Sequence, residues 1–112
     1  MLYAVIVLFA LAAVLGLVNI KNWLSDKDAP KAAIYIHGLF AATALVLLGI
    51  YSFQNPDHYP LAAVVLFLIA AVGGFYLFFT NMVRKTRPVG IAVIHALLAV
   101  TGFVVLLFFA FK

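Results

Sequence analysis

Four long apolar stretches constrain the fold of this chain more than any other feature. An α-helix rises about 1.5 Å per residue, so roughly 20 apolar residues cross the ~30 Å hydrocarbon layer of a membrane. Hydrophobic residues make up 69% of the chain and charged residues 9%, a composition far from that of a soluble domain. We therefore predict an all-α integral membrane protein of one domain, residues 1–112, whose transmembrane helices cover about residues 2–22, 30–52, 60–81 and 88–111.

The connections between these stretches are short, which predicts an antiparallel four-helix bundle. Six of the seven cations lie in or beside the first and third connections: Lys21, Lys27, Lys31, Arg84, Lys85 and Arg87. The positive-inside rule therefore places the connections near 21–31 and 82–88 in the cytoplasm and both termini outside, as in a bacterial inner-membrane protein. These cations also explain the net charge of +4, so we predict no nucleic-acid partner.

The sequence contains an internal repeat. A gapless alignment of residues 3–54 with 61–112 gives 18 identities in 52 pairs. Each unit holds two helices, so both units enter the membrane in the same sense, and we predict a pseudo-twofold axis along the membrane normal. In an apolar chain many identities between apolar residues arise by chance. Five others are better evidence for the repeat: Gly16 with Gly74, Lys27 with Lys85, Pro30 with Pro88, His37 with His95, and Thr43 with Thr101.

The repeated histidines, His37 and His95, are the main functional candidates. Each lies seven residues after a proline that suits a helix start, about 10 Å along its helix, so both have the same depth. Helices 2 and 4 occupy diagonal corners of an up-down bundle, where the two rings can oppose each other. Because ionisable residues inside a membrane are costly and usually functional, we predict that these histidines bind the iron of one haem b from opposite sides. Two axial ligands leave no site for oxygen, which favours electron transfer.

Small residues at the depth of the histidines would leave room for a flat cofactor. We predict that Gly16, Gly74, Gly38, Ala41 and Ala99 line the haem. Small residues also mark close helix packing in membranes, and this alternative stays open. Lys31 and Arg87 are predicted counter-charges for the haem propionates, because both lie near the cationic face.

Other roles for the histidines remain open at this stage. They could hydrogen-bond a neighbouring helix, relay protons, or bind zinc or copper. The chain has no cysteine, and its three acidic residues, Asp26, Asp28 and Asp57, all lie in connections, which disfavours a zinc site and a relay. The main alternative to a cytochrome is a non-redox structural or interaction subunit whose histidines fasten helices together.

Three local expectations follow from the same residues. The second ring nitrogen of each histidine should donate to a carbonyl one turn back, around Ala33 or Ile91. The hydroxyls of Thr43 and Thr101 should bond the preceding turn of their own helices. Trp23 should anchor the cytoplasmic membrane interface.

With its helix count, its in-helix histidines and its glycines at their depth, the chain resembles the small four-helix membrane b-type cytochromes, including superoxide oxidase and the haem-bearing anchor subunits of respiratory enzymes. Members of that group often hold two haems on four histidines. This chain has two histidines in its helices, so the resemblance implies one haem. It also implies quinone, superoxide or a redox partner protein as reaction partner, and either an oxidoreductase or an electron carrier, with association into a homo-oligomer left open.

Overall fold

The computed structural model describes all 112 residues and contains four α-helices joined by short connections. The all-helical, four-helix fold predicted from the sequence is confirmed, and every helix end lies within two residues of its predicted position. All four helices are long and apolar enough to cross a membrane. The helices are α1 (Leu2–Leu24), α2 (Lys31–Gln54), α3 (Leu61–Met82) and α4 (Val89–Phe111).

A proline directly precedes three of the four helices. Pro30, Pro60 and Pro88 directly precede α2, α3 and α4. Proline lacks an N–H and has a fixed φ, so it fits a helix start, where the first N–H groups have no partner within the helix. Because α2 begins at residue 31 and α4 at 89, each histidine is the seventh residue of its helix.

The helices pack as two pairs. α1 packs most extensively against α2, and α3 against α4, while α1 also contacts α4 and α2 also contacts α3. The diagonal pairs, α1 with α3 and α2 with α4, have no close backbone contact and meet through side chains. Side chains that point to the centre from diagonal helices are therefore brought together.

The interior contains two apolar clusters with the histidines between them. At the end that holds the termini, Phe9 and Phe67 stack with ring centroids 4.0 Å apart and planes within 9°. The terminal-side cluster consists of Val5, Phe9, Ala44, Leu48, Ala63, Phe67 and Leu106. The connection-side cluster consists of Trp23, Ala29, Leu77 and Ala92. Between them His37 lies against Ala12 and Gly16, and His95 lies against Ala70 and Gly74.

The position of Trp23 corrects one expectation. Its side chain does not face the membrane interface but packs inside the bundle, with 8% of the residue exposed. Trp23 lies on the same face of α1 as Phe9, Ala12 and Gly16, because successive steps of three or four residues return to one face of a helix. The sequence-based prediction of an interfacial anchor was wrong because the spacing along α1 turns the indole inward.

The outer surface of the bundle is apolar. Among the large residues, Phe53 is 89% exposed, Phe75 73% and Val72 70%. Soluble monomers rarely expose such continuous apolar surface, whereas a hydrocarbon environment solvates it. The surface is consistent with an integral membrane protein.

Candidate metal centre

The imidazole rings of His37 on α2 and His95 on α4 face each other across the bundle. Their centroids are 6.3 Å apart and their planes are inclined by 78°. Two imidazoles on opposite sides of one metal, with metal–nitrogen bonds of about 2 Å and roughly 1 Å from nitrogen to ring centre, have centroids about 6 Å apart. The separation of the rings therefore matches two ligands of a single metal ion.

Hydrogen bonds from the rings to the neighbouring helices fix which ring nitrogen carries the proton in the neutral imidazole. His37 Nδ1 lies 2.6 Å from the Ala12 carbonyl oxygen on α1, and His95 Nδ1 lies 2.7 Å from the Ala70 carbonyl oxygen on α3. A carbonyl oxygen only accepts, so Nδ1 must donate and carries the proton. In a neutral imidazole this leaves the lone pair on Nε2, the form that binds metals, and no hydrogen bond engages either Nε2 atom.

These acceptors correct the expected partners of the histidines. The predicted carbonyls, around Ala33 and Ile91, belong to the histidines' own helices, whereas the observed acceptors belong to the adjacent helix of each pair. The reason is a close approach between helices, which lets each ring reach across to the neighbouring backbone. Only the general expectation of a carbonyl partner was right.

Gly16 and Gly74 permit that close approach. A Cβ atom at Gly16 would lie 3.0 Å from His37 Cε1, and one at Gly74 would lie 3.1 Å from His95 Cε1. Both distances are shorter than normal packing contacts. The contacts of these two glycines are therefore to the imidazole rings, which any larger residue would push away.

The remaining predicted lining residues differ in how far they are buried. Ala41 and Ala99 are half-buried one turn beyond the histidines. Gly38 is exposed, and a Cβ atom there would meet no neighbour within 4 Å. Gly38 therefore has no contact in the structure that ties it to the histidine layer, while Ala41 and Ala99 remain candidates for it.

The two predicted counter-charges have different surroundings. Arg87 donates to Asp26 at 2.8 Å and to Asp28 at 3.4 Å, so it links the third connection to the first. Lys31 is exposed at the first residue of α2. Both aspartate side chains are more than 90% exposed, so the ion pairs contribute little to stability and leave Arg87 able to exchange partners.

The donor set at the centre is two imidazoles. No group of three or more histidine, cysteine, aspartate or glutamate side chains comes together in the structure. His58 lies away from the centre, in the connection between α2 and α3. It is exposed, and its ring packs against Phe109 with centroids 4.7 Å apart. A tetrahedral zinc site, which needs three or four protein ligands, does not fit this arrangement.

The repeated threonines have a local role, as predicted. The hydroxyl of Thr43 donates to the Leu39 carbonyl at 2.8 Å, and that of Thr101 donates to the Leu97 carbonyl at 2.7 Å. Both threonines are exposed on the outside of the bundle. They take no part in the centre.

Sequence reasoning did not single out Asn19 and placed Trp23 at the membrane interface, so it assigned neither residue to the region below the histidines. Asn19 Oδ1 and Trp23 Nε1 are both buried and have no hydrogen-bond partner. The signal that identifies them is spacing, because residues 12, 16, 19 and 23 recur at steps of four, three and four along α1. That pattern extends the face that contacts His37 towards the first connection.

Comparisons of the chain with protein-family models, with curated proteins and with solved structures find no match.

Proposed function

We propose that this chain is a membrane b-type cytochrome in which His37 and His95 bind one haem iron. The observation that carries the proposal is the pair of opposed imidazoles, 6.3 Å apart, with Nδ1 bound to a carbonyl and Nε2 free on both rings. Hydrogen bonding at Nδ1 is the usual way in which proteins orient a histidine ligand and make it more basic.

The surroundings of the rings suit a porphyrin better than a bare metal ion. Two imidazoles complete the coordination of an iron whose other four bonds come from porphyrin nitrogens, whereas a bare ion would need further protein ligands. The small side chains between the two apolar clusters, with Ala41 and Ala99 among them, would border the macrocycle. Lys31 and Arg87 would balance its carboxylates.

The chemistry that a bound haem supplies is the gain and loss of one electron. With His37 and His95 as its two protein ligands, the iron would exchange electrons without binding oxygen. The resemblance to small membrane b-type cytochromes is the only support for the reaction partner. On that basis the haem would exchange electrons with quinone, superoxide or a redox partner protein. The chain then works either as a quinol- or superoxide-linked oxidoreductase or as an electron carrier.

We also propose that the chain spans a membrane and that its two halves are related by a pseudo-twofold axis. The apolar surface supports insertion into a lipid bilayer with the first and third connections in the cytoplasm. The contacts at the centre recur 58 residues apart: Gly16, Ala12 and His37 in one half correspond to Gly74, Ala70 and His95 in the other. This correspondence supports an antiparallel bundle made of two repeated helix pairs about a pseudo-twofold axis, with one haem on that axis.

Electron paramagnetic resonance of the oxidised protein tests the ligand geometry. Perpendicular imidazole planes leave two iron d orbitals nearly equal in energy, whereas parallel planes split them. With planes inclined by 78°, we expect one strongly anisotropic low-spin signal at low field. A spectrum with three resolved rhombic lines would contradict the ring orientation, and a high-spin signal would contradict the second histidine ligand.

The second candidate function is a non-redox structural or interaction subunit. The observation that favours it is that each histidine already joins two helices, His37 to α1 and His95 to α3. Fastening needs only the Nδ1 atoms, however, and it gives no reason for the two rings to meet at a metal-binding separation. We therefore place it second.

A further inference from the structure

Two buried polar atoms on α1 have no partner in the structure. They are the Asn19 side-chain oxygen Oδ1 and the Trp23 indole nitrogen Nε1. Buried polar groups in proteins are nearly always hydrogen-bonded, and leaving one unpaired is destabilising. Because the two residues are four positions apart on one helix face, their side chains are neighbours. One of the two atoms is an acceptor and the other is a donor, and neither has a hydrogen-bond partner.

The two residues lie directly below the proposed haem ligands. Gly16, three residues before Asn19, contacts the His37 ring. Asn19 and Trp23 follow at about 4.5 Å and about 10 Å along the α1 axis. Helical side chains lean towards the N-terminus of their helix, so both side chains extend back towards the histidine layer. A group that hangs several ångströms from a metal at the centre would meet them.

The chemistry of the two side chains selects an acceptor. An indole N–H only donates, and an asparagine amide presents a donor or an acceptor depending on how the amide is turned. A carboxylate oxygen accepts from Trp23 Nε1–H directly. It accepts from Asn19 when the amide is turned end for end, so that Nδ2 takes the place of the buried Oδ1. Hydrogen bonds to an ionised acceptor in an apolar site are stronger than bonds between neutral groups, and Trp23 packs against Ala29, Leu77 and Ala92.

Only one half of the repeat offers this pair. The positions equivalent to Asn19 and Trp23 are Leu77 and Asn81. Leu77 is buried and apolar, and the Asn81 amide donates to Thr86 in the third connection. The site therefore suits a ligand with a polar edge that lies on one side of a nearly symmetric centre.

We infer that Asn19 and Trp23 bind one carboxyl group of the haem and so fix the direction of its polar edge. The inference rests on the proposed function, since it needs haem at the centre. It assigns a binding role to two residues with no charge, in addition to Lys31 and Arg87 at the cationic end.

Haem loss from the purified holoprotein tests the inference. Trp23→Phe removes the indole N–H and keeps an aromatic side chain, and Asn19→Leu copies the residue at the equivalent position in the second half. We expect each variant to release haem to excess apomyoglobin roughly tenfold faster than wild type, which corresponds to the loss of about one hydrogen bond. The control is Asn22→Leu, because the Asn22 amide bonds the Val18 carbonyl of its own helix. It should leave the rate unchanged.

Reconstitution with haem dimethyl ester separates a carboxyl contact from a general loss of packing. The ester has no ionised carboxylate, so wild type should release it about tenfold faster than haem, and Trp23→Phe should release the two at similar rates. Equal release of haem and its ester by wild type, or wild-type rates in both variants, would overturn the inference and leave a water molecule as the partner of Asn19 and Trp23. Wild-type protein that takes up no haem would instead overturn the proposed function.

Discussion

Replacement of either histidine, His37→Ala or His95→Ala, is expected to abolish the spectrum of six-coordinate low-spin haem. In the proposed site each ring would supply one Nε2 atom to the iron, and a single remaining ring could not provide both axial bonds. No third histidine, cysteine, aspartate or glutamate lies within reach to replace the lost ligand. The measurement is the visible absorption spectrum of the purified variants, oxidised and reduced.

His58→Ala provides the matched control for these two variants. His58 is an exposed histidine that packs against Phe109 at the opposite end of the bundle. Its removal should leave the spectrum and the haem content at wild-type values. If both His37→Ala and His95→Ala keep the low-spin spectrum, the ligands lie elsewhere and the site assignment is wrong.

Replacement of the glycines that contact the rings has the next largest expected effect. In Gly16→Ala or Gly74→Ala, the new methyl group would lie 3.0 or 3.1 Å from a histidine Cε1 atom. Overpacking of this kind typically costs about 1–3 kcal/mol. Because the displaced ring is the proposed ligand, we expect haem affinity to fall roughly 10- to 100-fold, measured by haem titration of the apoprotein in detergent.

Gly49→Ala is the control for the added methyl group. Gly49 lies on α2, where a Cβ atom would meet no neighbour within 4 Å. Alanine is the better helix former by about 0.5–1 kcal/mol, so this variant should unfold less readily than wild type and bind haem equally well. Wild-type haem affinity in both Gly16→Ala and Gly74→Ala would show that the close glycine–histidine contacts do not position the ligands.

The architecture could be predicted because it follows from local and periodic signals. Long apolar stretches identified the four helices, and Pro30 and Pro88 marked two of their starts within one residue. The sequence repeat gave His37 and His95 the same depth, and the structure brings their rings together. These predictions needed only the helical rise and the order of short connections.

The details at the centre depend on helix rotation and close approach, which the sequence does not fix. The Ala12 and Ala70 carbonyls became histidine partners because Gly16 and Gly74 let the rings lie against the adjacent helices. For the same reason Trp23 was misplaced, since an aromatic residue near a helix end suits both a membrane interface and an interior. Gly38, grouped with the lining residues by its position next to His37, points away because adjacent residues on a helix face different directions.

The absorption spectrum of the purified wild-type protein tests the central claim most directly. Protein expressed in haem-replete cells and reduced with dithionite should show the sharp visible bands of six-coordinate low-spin haem b, with one haem per chain. A protein that is folded and helical by circular dichroism but shows no such bands, and gains none when haem is added, would contradict the cytochrome assignment.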